Sequence, residues 1–346
     1  MNETVRVLVV DDAAFMRRSL IKLLSSDPSL EIVGEAANGR EAVELADTLR
    51  PDVICLDLDM PQMDGLTALK HLMSRRPTPV VVVSSLTDRE NVPFETLRLG
   101  VLDFFPKPSA SSGSLESQAR HLLYLVRNAR RIRSGNLRRV PLDIARARLT
   151  PRQHCEHVVV LGGTVGSVSG LLRVLTLLPP QPVGGFSVLC QVPVHPAIVS
   201  SFVDSLRNYL GWEVERLSGL SPIRSGVATF LPSGSAVAWQ GDRLALVDGG
   251  TDGLDSLFVA SGERFGANAT LILLAGDTDE GLRGLREAAA HGAACFVQDD
   301  RTALFSSWAP ALDRGIGRFD LDHVLDSLGR ALLARLGDAD GPETEA

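Results

Sequence analysis

Short apolar runs recur along the first part of the chain, and a polar residue or a turn follows each of them. Runs of this length that are rich in β-branched residues are typical of strands buried in a parallel sheet. The clearest runs lie at 5–10, 53–56, 80–83 and 102–105, and helical periodicity falls between and after them at 15–24, 39–49, 66–73 and 114–133. The alternation predicts a five-stranded parallel sheet with helices on both faces.

A second strand and helix series begins near residue 157. The apolar run 158–161 leads into the glycine-rich turn Gly162–Ser167, which is followed by a helix at 168–178 and another strand at 186–189. A turn of this kind can hold a phosphate or expose a nucleophile. Dinucleotide binding also needs an acid at the end of the next strand, where this chain has Cys190-Gln191. We expect a second, doubly wound α/β domain, with nucleotide binding as a minor hypothesis.

Charged or hydroxyl-bearing side chains follow the strands of the first domain. Asp57 ends one strand, Asp11-Asp12 ends another, and Ser84 and Lys107 follow two more. A lone aspartate at a strand end often caps a turn. Three carboxylates at one sheet edge repel each other unless a cation lies among them, and Mg²⁺ binds such oxygens together with phosphate. The pattern predicts a magnesium site and an aspartate that accepts a phosphoryl group.

Composition narrows the class of protein. A length of 346 residues allows two domains, and a net charge of −7 argues against nonspecific nucleic-acid binding. The sequence has no signal peptide and no apolar run long enough to span a membrane, so we expect a cytoplasmic protein without membrane insertion. The four cysteines form no CxxC pair, which fits a reducing compartment.

A basic segment joins the two domains. Nine arginines and a single acid, Asp143, lie between Arg127 and Arg152. Either a solvated hinge or a docking strip for an acidic surface explains this charge. His154-Cys155-Glu156-His157 has metal-ligand residue types, but no second cluster would complete a site. The predicted boundaries are a first domain at 4–133, a linker at 134–156, a second domain at 157–336 and a disordered acidic tail at 337–346.

The first domain resembles two-component receiver domains, which have a flavodoxin-like fold. The residues that carry the resemblance are Val9-Val10-Asp11-Asp12, Asp57 with Met60-Pro61, Asp64-Gly65, Ser84 and Lys107-Pro108. It implies that a histidine kinase phosphorylates Asp57. It also implies a Mg²⁺ site formed by Asp11, Asp12, Asp57 and Asp59. Asp12 would bind the ion directly, Asp11 through water, and Asp59 through its carbonyl. Ser84 and Lys107 would hold the phosphoryl oxygens, and Phe104 would be the aromatic switch.

The second domain resembles the chemotaxis protein-glutamate methylesterases. The segments that carry this resemblance are the turn 162–167, Leu189-Cys190-Gln191, 228–234, 255–258, 273–277, 281–283 and Gln298-Asp299. The resemblance implies hydrolysis of methyl esters and glutamine amides on chemoreceptors by a Ser-His-Asp triad. It further implies that phosphorylation of the receiver uncovers the active site.

The chain departs from this family at the catalytic positions. Thr164 replaces the family's serine, and Val192 replaces the histidine that follows the glutamine. The nearest imidazole is His195, and Asp277 is the best match for the acid, with Asp279 as second choice. We therefore predict a response regulator whose methylesterase-like domain, with lost or weak catalysis, binds a receptor or adaptor under control of phosphorylation. The alternative is an active methylesterase and glutaminase in which Thr164 or Ser167 pairs with His195.

Overall fold

The computed structural model describes residues 4–85, 92–107, 115–132, 134–137, 139–140, 155–178, 185–194, 198–210, 213–247, 252–276, 278–305 and 315–321. The chain forms two compact units, Met1–Pro141 and Leu142–Ala346. The predicted tail at 337–346 lies outside the described residues.

The first unit has the predicted α/β alternation. Its strands are β1 (Val5–Val10), β2 (Leu30–Ala36), β3 (Val53–Leu56), β4 (Val80–Ser84) and β5 (Asp103–Pro106). Its helices are α1 (Ala14–Leu24), α2 (Gly39–Leu49), α3 (Gly65–Arg75), α4 (Val92–Arg98) and α5 (Leu115–Asn128), followed by 3-10 turns at Ala129–Arg131 and Ser134–Asn136. All five strands are parallel, in the order β2-β1-β3-β4-β5. The predicted five-stranded parallel sheet is confirmed.

A short loop and a helix cap fix the segment that follows β3. The Asp64 carboxylate accepts the Thr67 N–H at 2.8 Å and so caps the first turn of α3. Gly65 begins that helix, and a Cβ there would fall 2.0 Å from the Asp57 carbonyl oxygen. Only glycine allows the helix to start this close to the end of β3.

The first unit extends beyond the predicted receiver boundary. Leu137 is 5% exposed and Val140 is fully buried, and the Val140 N–H donates to the Arg98 carbonyl at 2.9 Å. These two apolar residues stand among arginines, and the charge of the segment obscured them in the sequence. The start of the predicted linker therefore packs with the first unit.

The second unit contains ten strands and four helices among its described residues. The strands are β6 (His157–Gly163), β7 (Phe186–Gln191), β8 (Glu213–Arg216), β9 (Leu220–Pro222), β10 (Val227–Phe230), β11 (Ala236–Gln240), β12 (Arg243–Val247), β13 (Ala269–Leu274), β14 (Ala294–Gln298) and β15 (Ile316–Phe319). The helices are α6 (Ser167–Leu177), α7 (Val199–Tyr209), α8 (Gly253–Phe265) and α9 (Leu282–Ala290), and a 3-10 turn lies at Gly266–Asn268.

Seven of these strands form one parallel sheet in the order β15-β14-β13-β6-β7-β10-β8. The other three form a small antiparallel sheet, β11-β12-β9. Strand β6 lies between β7 and β13, so the chain leaves β6 in one direction and later returns on its other side. Ligands of open α/β sheets bind at such a change of direction, beyond the carboxyl ends of the strands.

Apolar side chains on both faces of the seven-stranded sheet form the core of the second unit. The central strand β6 is buried at every position, and Phe258, Leu271 and Leu285 are fully buried against it or its neighbours. This pattern explains why these strands read as continuous apolar runs in the sequence. Within the described residues, no helix combines the length and apolar content required to cross a bilayer.

Candidate functional site

The carboxyl edge of the first sheet brings three carboxylates together. Ligand oxygens of Asp11, Asp12 and Asp57 all lie within 4.8 Å of one another. Asp11 and Asp12 follow β1 and Asp57 follows β3, and these two strands are neighbours in the sheet. Asp57 and Asp11 are 1% and 3% exposed, whereas Asp12 is exposed. The cluster is therefore open to solvent on the side of Asp12.

Lys107 links two of these carboxylates. Its Nζ lies 2.6 Å from Asp57 Oδ2 and 2.7 Å from Asp11 Oδ2. Burial lowers the pKa of Lys107, but the two carboxylates outweigh it, so the pKa of this amine is raised and it stays charged. Burial is also the largest influence on Asp11, and it raises the pKa of that carboxyl despite the contact with Lys107.

Backbone N–H groups hold the remaining carboxylate oxygens. Asp57 Oδ1 accepts the Leu58 N–H at 2.7 Å, and Asp11 Oδ1 accepts the Ala13 N–H at 2.9 Å. The Lys107 N–H in turn donates to the Ser84 carbonyl at 2.8 Å. These bonds fix the orientation of both acids and tie the lysine to the end of β4.

The donor set of this cluster fits Mg²⁺. Carboxylate oxygens are its preferred protein ligands. Counted at their formal charges, the three carboxylates and one ammonium carry a net charge of about −2, which a divalent cation would balance. Among the described residues this is the one group of acidic, histidine or cysteine side chains close enough to hold a metal ion. At the 154–157 segment, Cys155 Sγ instead contacts the His157 carbonyl at 3.0 Å, and His154 lies outside the described residues.

Most of the receiver residues predicted from the sequence lie at this edge. Ser84 ends β4 and is 1% exposed, while Phe104 lies on β5 and is 3% exposed. Asp59 follows Asp57 by two residues and is half-buried. The N–H groups of Leu58 and Ala13 were not foreseen, because a backbone donor leaves no residue-type signal in the sequence.

In the second unit, the glycine-rich turn lies between β6 and α6. Thr164 is half-buried, and Gly166 adopts the left-handed region with φ +83°. A Cβ at Gly166 would fall 2.9 Å from the Phe305 ring, so residues 304–305 cover the start of α6. Ser167 is fully buried, and its Oγ has no hydrogen-bond partner among the described residues. Leu304 and Phe305 therefore occupy space beside the helix start that a bound phosphate would need.

The end of β7 carries a buried glutamine followed by apolar residues. Gln191 Nε2 donates to the carbonyls of Pro232 and Ser235, at 2.9 and 2.8 Å, and so holds the loop after β10 against β7. Val192 comes next and is 4% exposed. His195 lies outside the described residues.

The loop after β13 is held by two bonds from neighbouring segments. The buried Gln298 Oε1 accepts the Ala275 N–H at 2.9 Å, and the Gly276 N–H donates to the Phe305 carbonyl at 2.9 Å. Asp277 follows immediately and lies outside the described residues, while Asp279 is exposed. Since β6, β7 and β13 are adjacent and parallel, the loops that carry Thr164, His195 and Asp277 leave the same edge of the sheet.

An apolar pocket of about 130 Å³ lies beside this edge, at the carboxyl ends of β7 and β10. We call it the β7–β10 pocket. Its apolar walls are Val192, Val194, Val199, Phe202, Phe230 and Leu231, and Arg216, Pro232 and Ser233 complete the lining. The sequence analysis missed it, since its walls come from segments far apart in the chain.

Both units are similar to known protein families. The family described as response regulator receiver domain matches residues 7–117, and the family described as CheB methylesterase matches residues 159–315. A protein of Xanthomonas campestris pv. campestris named protein-glutamate methylesterase/protein-glutamine glutaminase 1 is 33% identical over 325 residues, which cover 87% of this chain and 88% of the relative.

A relative from Pyrococcus horikoshii, named protein-glutamate methylesterase/protein-glutamine glutaminase, is 28% identical over 333 residues and covers 91% of this chain and 90% of its own. Among solved structures, the response regulator domain of Thermotoga maritima CheB is 44% identical, with a TM-score of 0.35. It covers 38% of this chain and 99% of its own. The two family matches and the long alignments agree on one order of domains.

Proposed function

Because the chain belongs to the protein-glutamate methylesterase/protein-glutamine glutaminase family of chemotaxis response regulators, we propose that a histidine kinase phosphorylates it on Asp57 and that its output is binding. In this proposal the phosphorylated protein binds a chemoreceptor or an adaptor through its methylesterase-like domain. Catalysis by that domain is lost or weak.

The geometry around Asp57 supports phosphorylation. The Asp57 carboxylate attacks the phosphorus of the kinase's phosphohistidine, and the histidine leaves. Lys107 Nζ, 2.6 Å from Asp57 Oδ2, is in place to donate to the oxygens of the transferred group. Ser84 provides a hydroxyl at the neighbouring strand end, and Phe104 on β5 is the proposed aromatic switch.

Mg²⁺ is the proposed cofactor of this reaction. Asp12 would bind it directly, because that carboxylate is exposed beside the two buried ones. Asp11 would act through water, and the Asp59 carbonyl would supply a further oxygen. When bound, the ion neutralises charge on the phosphoryl oxygens.

The observation that carries the proposed loss of catalysis is Val192. It follows Gln191 at the end of β7, where the family's histidine is expected, and its side chain lines an apolar pocket. An isopropyl group cannot accept a proton from a nucleophile. Removing the base of a serine hydrolase triad lowers turnover by about a million-fold.

The two candidate nucleophiles give further support. Thr164 carries a β-methyl group, which restricts its side-chain rotamers and crowds attack on an ester carbonyl. Ser167 is fully buried, so a receptor side chain cannot reach its hydroxyl without displacing the packing around α6. A working triad would therefore depend on Thr164 with a repositioned His195 and Asp277.

That working triad is the second candidate function. The adjacency of β6, β7 and β13 favours it, since the loops bearing Thr164, His195 and Asp277 leave one sheet edge. The relatives' names, protein-glutamate methylesterase and protein-glutamine glutaminase, give the activity that this version would have.

The test is methanol release from methylated chemoreceptor membranes by the full-length protein, with and without acetyl phosphate and Mg²⁺. Cosedimentation with the same membranes measures binding. We expect no release above that of a Thr164→Ala/His195→Ala variant, and binding that increases on phosphorylation. An Asp57→Asn variant should bind at the unphosphorylated level. Release that rises on phosphorylation and disappears in the double variant would establish the active enzyme instead.

A further inference from the structure

The β7–β10 pocket has deep apolar walls. Phe202 on α7 and Phe230 at the end of β10 are 1% and 5% exposed, and their rings meet edge to face with centroids 6.0 Å apart. Val192 and Val194 close the side next to β7. The pocket opens where its exposed members lie, at Arg216 and Ser233.

One cation stands at this opening. Arg216 donates from Nη1 to Ser200 Oγ at 2.9 Å, and no carboxylate pairs with it in the part of the chain that the structure describes. The nearby Arg224 is different, because Glu215 and Glu213 contact it at 2.8 and 3.2 Å. A guanidinium has five N–H donors and binds carboxylates in a two-pronged geometry. Within the described residues, Arg216 is therefore a positive charge held by Ser200 and not paired with a carboxylate, beside an apolar cavity.

The volume of the pocket indicates what kind of group can bind in it. An apolar cavity of about 150 Å³ stays dry and can hold a molecule as large as benzene. The pocket, at about 130 Å³, suits one aliphatic side chain. Sites for whole small molecules are larger, at about 300–1,000 Å³. A polypeptide that inserts one side chain is thus a better fit than a free ligand.

We propose that the β7–β10 pocket receives one aliphatic side chain from an acidic polypeptide segment of the binding partner, with a carboxylate of that segment held by Arg216. The inference rests on the proposed function and deepens it, because it assigns the surface through which the effector domain binds. Strands β7, β8 and β10 supply the site, so it lies on the ligand-binding edge of the parallel sheet.

The probe is a fluorescein-labelled synthetic peptide of five residues, a central leucine with two glutamates on each side. Fluorescence anisotropy measures its binding to the full-length protein treated with acetyl phosphate and Mg²⁺. A peptide with alanine in place of leucine should bind at least tenfold more weakly, as should one with glutamines in place of the glutamates. A difference of tenfold corresponds to about 1.4 kcal/mol.

Variants of the protein test the same contacts from the other side. Arg216→Glu reverses the charge at the opening, and Val199→Phe fills the cavity from α7; each should weaken binding of the leucine peptide at least tenfold. Arg243→Glu is the matched control, because Arg243 is an exposed arginine on β12 that does not line the pocket. Circular dichroism confirms that each variant is folded. Equal binding of the leucine and alanine peptides, or no saturable binding of the leucine peptide up to millimolar concentration, would overturn the proposal.

Cosedimentation with chemoreceptor membranes separates this inference from the proposed function. If Arg216→Glu and Val199→Phe bind the membranes as well as Arg243→Glu does, the pocket is not the docking site, although the binding function stands. If the peptide differences are found but the unaltered, phosphorylated protein does not bind receptor membranes, the pocket assignment stands and receptor binding as the output is rejected.

Discussion

Replacing Lys107 with methionine should destabilise the first unit strongly. The lysine side chain is 13% exposed and contacts two carboxylates that are 0% and 4% exposed, those of Asp57 and Asp11. Methionine keeps much of the side-chain volume but removes the charge. The two acids would then face each other without the cation that now lies between them.

The expected loss of folding free energy follows from the burial of these two carboxylates. Removing one partner of a buried ion pair costs about 3–5 kcal/mol. Because Asp12 already opens the cluster to water and Asp11 can take up a proton, we expect about 2–3 kcal/mol. For a unit of this size, each kcal/mol lowers Tm by about 4 °C, so Tm should fall by about 10 °C.

The two units can be followed separately in the full-length protein. All three tryptophans, Trp212, Trp239 and Trp308, lie after Pro141 and therefore in the second unit. Far-UV circular dichroism reports both units, whereas tryptophan fluorescence reports the second alone. Lys107→Met should lower the Tm of the circular-dichroism transition that belongs to the first unit. The Tm of the fluorescence transition, which reports the second unit, should not change.

Magnesium provides the internal check. A ligand that binds only the folded state stabilises it, and the variant leaves more uncompensated negative charge for the ion. Saturating MgCl2 should therefore raise the Tm of Lys107→Met by more than it raises the Tm of the unaltered protein. Two results would show that burial of the two carboxylates does not determine the stability of the first unit. One is a Tm of Lys107→Met within 2 °C of that of the unaltered protein in EDTA, and the other is an equal magnesium effect on both proteins.

Two further predictions concern backbone approach and thiol burial. Gly65→Ala should slow phosphorylation of Asp57 by acetyl phosphate at least tenfold, because its Cβ would lie 2.0 Å from the Asp57 carbonyl oxygen; Gly135→Ala, with nothing within 4 Å of the added atom, is the control and should match the parent. Burial raises the pKa of Cys55 to about 12 and that of Cys155 to about 11, since it disfavours the thiolate, so both thiols stay protonated at pH 8. Iodoacetamide followed by mass spectrometry should leave Cys55 unlabelled in the native protein and label Cys155 slowly, faster as pH rises; prompt labelling of Cys55 at pH 8 would contradict this.

The cluster proposed as the phosphorylation site could be predicted from the sequence because its side chains follow the ends of parallel strands. Apolar runs mark the parallel strands, and the first polar residue after each must lie at the same edge of the sheet. Asp11, Asp57 and Lys107 are separated by about fifty residues each, yet the strand order alone brings them close. What the sequence could not give was the pairing of Lys107 with both acids, which depends on side-chain direction and backbone donors.

In the second unit, the sequence predicted the order of the elements, whereas the candidate binding surface became visible only in the tertiary structure. Its sequence predicted a strand, a glycine-rich turn and a helix. The resemblance to the methylesterases led us to expect the family's catalytic groups at Thr164 and Val192. Only the tertiary structure showed that Ser167 is fully buried and that Phe202 and Phe230 line one apolar pocket beside Arg216. The reason is physical: local periodicity encodes which face of an element is apolar, whereas cavities and buried contacts arise from the packing of segments distant in the chain.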